Sequence, residues 1–227
     1  MENNFDKLAM VFVGYKDEME AFFDYNPGLP SRIPHVMDFE DFTARELWNI
    51  LCAYINDRYK GKMEVDDGMD GLYMRIAIRR LEKGRGRRGF GNARAAQNLA
   101  NKMFQRQAAR LKHEKNNFLF LTKEDVIGPD PTKIFYRSQA WKEIEGLVGL
   151  AEVKERIENI FRLTRFNYQR ELRQDKPLDI TLNQLFVGSA GTGKTTVSKL
   201  YGQVLLDLGY LSEGEGKSLK TICPLRR

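Results

Sequence analysis

Gly188 to Thr195 reads GSAGTGKT, a match to GxxxxGK[ST], and Thr196 follows it. Residue types at this spacing do one kind of chemistry, which is to hold phosphate. Gly188, Gly191 and Gly193 let the backbone curl until its N–H groups face an anion, with Ser189, Ala190 and Thr192 between them. A helix starting directly after the loop adds partial positive charge from its N-terminus. Lys194 is placed to reach the β- and γ-phosphates of a nucleotide, and the Thr195 hydroxyl to ligate Mg²⁺.

Such a loop is informative only between a strand and a helix. Leu182–Val187, mostly apolar, reads as the buried strand. Behind the loop, Val197, Leu200, Tyr201, Val204, Leu205 and Leu208 recur on one helical face, and Gly209 supplies the stop. Two more apolar runs, Leu8–Val13 and Pro34–Phe39, read as strands, separated by a short helix around Met19, Phe22 and Phe23. Asn26-Pro27-Gly28 is a turn. Thr43-Ala44-Arg45-Glu46 is a capping box opening a helix that turns Leu47, Ile50, Leu51, Tyr54 and Ile55 inward. Further helices are expected at about Met69–Leu81, from Asn92 to about Lys115 with Leu99, Met103, Ala108 and Leu111 buried, and at Ala151–Arg173.

Other motifs fail their context. Gly84–Gly89 matches GxGxxG but follows a helix, so it reads as a flexible basic loop. Asp66, Asp67 and Asp70 surround Gly68 without the bidentate glutamate of a calcium loop, and read as helix-capping residues. His35 and His113 stand without partners at ligand spacing.

The chain has 227 residues, 42% of them hydrophobic and 30% charged, enough for one large domain or two small ones. The sequence contains no apolar run of membrane-spanning length, and Cys52 and Cys223 have neither metal nor disulfide spacing. An intracellular, cytoplasmic protein is the expectation. The net charge of +6 is uneven: Arg75–Lys115 holds thirteen Lys and Arg against Glu82 and Glu114, a local +11, which leaves −5 elsewhere. With only Phe90 and Phe104 interleaved, this block reads as a solvated or nucleotide-facing surface rather than a nucleic-acid site.

Taken together, the pieces resemble the AAA+ ATPases, specifically the CbxX/CfqX family that includes the rubisco-activase type. Val11–Phe39 is similar to that family's fourth strand, following helix and fifth strand, and Gly91–Leu99 (GNARAAQNL) to its lid motif. Ile144–Ile157 (IEGLVGLAEVKERI) is similar to the first segment of another copy, completed by the phosphate loop. Met1–Asn4 resembles an internal helix end of the family.

The resemblance implies an α/β, P-loop type parallel sheet with helices on both faces and an α-helical lid. The family's sheet order implies Leu182–Val187 inserted between Pro34–Phe39 and Leu8–Val13, a shortened, circularly permuted core of order 5-1-4; the alternative is two separate incomplete halves, each needing another chain. The implied organisation is the end of one core at residues 1–42, a lid at 43–127, a linker at 128–140, the start of a second core at 141–212, and an irregular tail at 213–227.

By the same resemblance, Arg94 is the lid arginine that senses the γ-phosphate, and Arg32 is an arginine finger acting across a subunit interface. Val148 and Gly149 lie near adenine, and the cofactors are ATP or ADP with Mg²⁺. The implied partners are AAA+ subunits in a ring and a protein substrate to be remodelled, with neither membrane nor nucleic acid. The chain departs from the family where an apolar strand ending in Asp-Glu should follow the phosphate loop, since Asp207, Glu213 and Glu215 end no such strand. Three functional readings therefore stay open: an ATPase, a non-hydrolysing nucleotide-binding or ring-interaction module, and a truncated product without independent function.

Overall fold

The computed structural model describes residues 10–25, 28–33, 35–87, 89–112 and 117–211. The chain divides into two compact units, Met1–Glu40 and Asp41–Arg227. In the first, helix α1 (Lys16–Tyr25) opens with Asp17 and Glu18, acids that suit the positive end of a helix, and it buries none of its residues. Phe22 packs its ring 6.1 Å from Phe12 and 5.8 Å from Phe23. A 3-10 turn at Pro30–Arg32 follows.

The second unit is helical: α2 (Ala44–Tyr59), α3 (Leu72–Glu82), α4 (Ala93–Leu111), α5 (Lys123–Ile127), α6 (Pro131–Arg137), α7 (Gln139–Gly146), α8 (Ala151–Leu172) and α9 (Lys194–Asp207). Between them lies one two-stranded parallel pair, β1 (Glu64–Val65) with β2 (Phe120–Leu121), in which Glu64 faces Phe120 and Val65 faces Leu121. Thr43 caps α2 as the sequence predicts: its hydroxyl accepts from the Glu46 N–H at 3.3 Å, and the Glu46 carboxylate accepts from the Thr43 N–H at 2.8 Å.

Two apolar cores form. The first gathers Leu47, Leu51 and Ile55 of α2, Met74 and Ala77 of α3, and Ala96, Ala100 and Met103 of α4, with Leu121 and Val126. The second gathers Trp141 and Ile144 of α7, Ile157, Ile160 and Phe161 of α8, and Tyr201, Val204 and Leu205 of α9. Helix α8 serves both, because Tyr168 and Leu172 near its end pack into the first core.

The expected parallel sheet of order 5-1-4 is not found among the described residues. Among the described residues, 10–13, 35–39 and Leu182–Val187 carry no strand; Leu8, Ala9 and Pro34 lie outside the described residues, as do Asn26 and Pro27 of the expected turn and the tail from Ser212. The reason is visible at Leu182–Val187, where Leu182, Gln184 and Phe186 are half-buried and Asn183, Leu185 and Val187 are exposed. The half-buried face is held by α9. The Tyr201 hydroxyl donates to the Leu182 carbonyl at 2.5 Å, and the Phe186 ring lies 5.9 Å from that of Tyr201. A parallel strand needs both faces covered and hydrogen-bonded neighbours. Here one face is covered, and Leu185 and Val187 remain 86% and 79% exposed.

Candidate phosphate-loop site

Helix α9 is fixed by its apolar face, with Val197, Tyr201, Gly202, Val204 and Leu205 buried. Its far end closes with Gly209 in the left-handed region at φ 76°. There the Gly209 N–H donates to the Leu206 carbonyl and the Tyr210 N–H to that of Leu205, each at 2.9 Å, the two bonds of a Schellman ending. These contacts leave the N-terminal end of α9 presented at the surface.

The loop at that end curls as the glycines require. Gly188, Gly191 and Gly193 have φ of 156°, 78° and 80°. A Cβ on Gly188 would come within 3.2 Å of the Thr192 hydroxyl oxygen, so the turn is too tight there for a side chain without a shift. Gly193 is the N-cap and supplies no side chain to the first helical N–H groups. The Thr192 hydroxyl donates to the Ser189 carbonyl at 2.9 Å. The Lys194 ammonium folds back over the loop, donating to the Ser189 carbonyl and lying 3.4 Å from the Thr192 oxygen. Ser189, Ala190, Thr195 and Thr196 are exposed. Uncapped N–H groups, one ammonium and the Thr195 hydroxyl, gathered around an open turn, are a donor set that fits a Mg²⁺-bound polyphosphate.

The other predicted site residues lie elsewhere. Val148 and Gly149 form the α7–α8 junction, where Gly149 and Leu150 both take positive φ (73° and 61°). The Lys154 ammonium ties that turn down through the Glu145 and Leu147 carbonyls at 2.8 and 2.6 Å, while Val148 is 99% exposed. Arg94 is exposed in the first turn of α4, on the helices of the first core, whereas the loop begins a helix of the second. Arg32 belongs to the Met1–Glu40 unit, where its guanidinium donates to the Gly28 carbonyl at 2.7 Å.

Asn92, expected to cap α4, has no side-chain cap bond; it takes φ 47° and donates from its amide to Asp41 at 2.7 Å. That bond, together with the Gly86 N–H, holds the Asp41 carboxyl below the usual carboxylate range. It anchors the Gly84–Gly89 loop to the segment leading into α2. Asp66 and Asp67 accept from the Lys123 and Leu72 N–H groups, at 3.2 and 2.6 Å. Among the described residues no group of His, Cys, Asp and Glu could hold a metal ion.

Asp207, the nearest acid after the loop, sits at the opposite end of α9. It accepts from the Ser138 hydroxyl at 2.6 Å and the Gln203 amide at 3.1 Å. Glu213 and Glu215 lie outside the described residues.

The basic block hides functional detail that a charge count misses. Arg80 donates to Glu171 of α8 and to the Ile127 carbonyl. Arg106 donates to the Asp125 and Val126 carbonyls, and Arg110 pairs with the Asp125 carboxylate at 2.8 Å. These three arginines bind carbonyls in and around α5 instead of standing free in solvent. A signal existed, since Arg80 follows buried Ile76 and Ala77 at the i+4 and i+3 spacing that puts it beside their stripe.

Residues 43–134 match the AAA lid domain family. The chain is 37% identical over 112 residues to the protein CbbX of Cereibacter sphaeroides, covering 49% of this chain and 34% of that protein. It is 38% identical over 112 residues to the protein CfxQ of Xanthobacter flavus, covering 49% and 33%. It is 30% identical over 133 residues to the chloroplastic ribulose bisphosphate carboxylase/oxygenase activase of Cyanidioschyzon merolae, covering 56% and 43%. The chain thus covers 33–43% of the length of these relatives. Among the described residues no helix is long and apolar enough to cross a membrane. With an AAA lid match over residues 43–134, which hold α2 to α5, and these relatives beside it, the chain is similar to CbbX-like AAA+ proteins over the part they share.

Proposed function

We propose that this chain is a nucleotide-binding module of an AAA+ machine that acts on a partner protein, and that it binds ATP or ADP with Mg²⁺ through Gly188–Thr196. One observation carries the reading: the uncapped start of α9 sits behind a glycine turn with the Lys194 ammonium folded across it. In this reading Lys194 leaves the Ser189 carbonyl for the β- and γ-phosphates, and the Thr195 hydroxyl joins the metal. The N–H groups of the first turn hold the phosphate oxygens. Arg94 contributes from the lid, Arg32 from one subunit to the nucleotide of the next, and Val148 and Gly149 lie toward the base.

The non-hydrolysing form of this reading is favoured by Asp207, which is committed to Ser138 at the end of α9 remote from the loop. A general base contributes about 10²–10⁴ to rate, so a site without one hydrolyses nucleotide more slowly by about that factor. Adding full-length relatives would supply acids in a mixed ring.

Calorimetric titration with Mg²⁺–ADP tests the proposal. Lys194→Ala is expected to weaken binding at least about tenfold, which is about 1.4 kcal/mol. Equal affinity of the two proteins removes the loop from the site. Phosphate release near one per second by the chain alone, abolished by Lys194→Ala, would show that another acid serves as base.

A further inference from the structure

Outside the phosphate loop, the lid carries an open groove of about 530 Å³ where the start of α2 meets α3. Its floor is apolar, made by Ala44, Trp48 and Ile78, and its rim carries Arg45, Arg75, Arg79 and Asp70. The rim thus has three cations and one acid. Arg45 stacks its guanidinium 4.6 Å from the Trp48 ring centre, and the Trp48 N–H is used on the Met69 carbonyl at 3.1 Å. Arg75 and Arg79 are exposed one helical turn apart. Among the described residues none of these three arginines forms an ion pair, although Arg80 beside them is bound to Glu171. Like charges one turn apart on a helix repel, so the pair is a standing cost that an anion relieves.

We infer that this groove docks an acidic segment of a partner protein, in which carboxylates alternate with apolar side chains. Side chains two residues apart on an extended peptide lie about 6.6–7 Å apart on one side, close to the about 5–6 Å between positions 75 and 79. One face of such a peptide meets the planar donors of Arg75 and Arg79, which suit carboxylates bidentately. The other rests on Trp48, Ile78 and Ala44. A nucleic acid strand fits less well: it calls for successive stacking platforms and an unbroken cationic track. This groove offers a single ring, and Asp70 interrupts its rim. The inference is independent of nucleotide binding.

The test is calorimetry on the full chain with a capped decapeptide alternating glutamate and leucine, at low salt. A lysine–leucine decapeptide and a single-stranded decadeoxynucleotide serve as competing probes. The acidic peptide is expected to bind in the range of tens to hundreds of micromolar, about 5–6 kcal/mol. Arg75→Gln with Arg79→Gln should weaken it at least tenfold. Lys102→Gln with Lys112→Gln, which removes the same charge from exposed positions on and just beyond α4, should change it less than twofold. No binding of the acidic peptide at millimolar concentration, equal loss in the two double variants, or tighter binding of either competing probe would overturn the inference.

Discussion

Replacing Glu171 by Gln tests how α8 is held to the lid. Arg80 presents its fork to Glu171 with N–O distances of 2.6, 3.1 and 3.2 Å, while its remaining nitrogen donates to the Ile127 carbonyl at 2.5 Å. The Glu171 side chain is 14% exposed and that of Arg80 37%. A fully solvated pair contributes about 0–1 kcal/mol, and a hydrogen bond to a charged group about 1.5–3. With one partner sheltered and the other a third open, the loss from Glu171→Gln should be about 1–2 kcal/mol. For a unit of about 150–250 residues each kcal/mol moves Tm by about 2–4 °C, so a fall of about 2–8 °C is expected. Arg80→Met should cost more, because it also orphans the Ile127 carbonyl. Combining Arg80→Met with Glu171→Gln should recover at least about 0.5 kcal/mol relative to the sum of the single changes. Thermal and urea melts of the four proteins complete the cycle. A Tm change under 1 °C for Glu171→Gln, with additive single changes, would refute the reasoning and leave the pair a solvated contact.

Two further outcomes concern groups whose ionisation is opposed by burial. Burial pushes the Tyr201 hydroxyl up to about 12, against a hydrogen bond with Gln184. The unfolded chain therefore loses this proton first, and stability should be full below about pH 10 and fall between about 10 and 12. Tyr201→Phe should flatten that part of the pH–stability curve; an unchanged slope would place the titration elsewhere. Burial, aided by Asp70 and opposed by Arg45, pushes the Cys52 thiol up to about 11. In a Cys223→Ser background, iodoacetamide at pH 8 should modify the native chain at least about 100-fold more slowly than the urea-unfolded one, and comparable rates would show an open Cys52 environment.

What the sequence made legible was local. The capping box at Thr43, the face of α9 with its glycine stop, and α8 to within a residue all follow from spacing and short-range hydrogen bonding. Helix α4 ends at Leu111, short of the expected Lys115, and its stripe ran askew: Ala108 is exposed, and Phe104 and Gln107 take the inward positions. Gln107 turns in because its amide serves the Phe118 and Phe120 carbonyls, at 3.1 and 3.0 Å, a demand set by β2 and invisible along α4 itself. Strand formation failed for the same class of reason. An apolar run of six becomes a strand only when other chain segments meet its edges and its second face. Leu182–Val187 finds α9 on one side and nothing among the described residues on the other. The site residues divide likewise: Gly188–Thr196 lies together because the loop is contiguous, whereas Arg94 and Val148 depend on how helices are assembled.

That assembly runs through α8. Its Ile157, Ile160 and Phe161 share a core with Tyr201, Val204 and Leu205 of α9, and its Tyr168 and Leu172 share a core with the lid. Midway, the Thr164 oxygen lies 2.9 Å from the Tyr210 hydroxyl, just past the Schellman ending of α9. A helix of 22 residues is about 33 Å long, so α8 reaches from one core to the other without a joint. Any displacement of α9 would therefore meet the lid as packing against a single rod. Thr164–Tyr210 at the middle and Arg80–Glu171 at the end are polar contacts that fix the rod's rotation. Apolar packing tolerates small slips along a ridge, whereas a forked guanidinium–carboxylate pair does not. Any coupling between loop and lid should thus survive conservative changes at Ile157 or Ile160 and be lost first at Arg80 and Glu171.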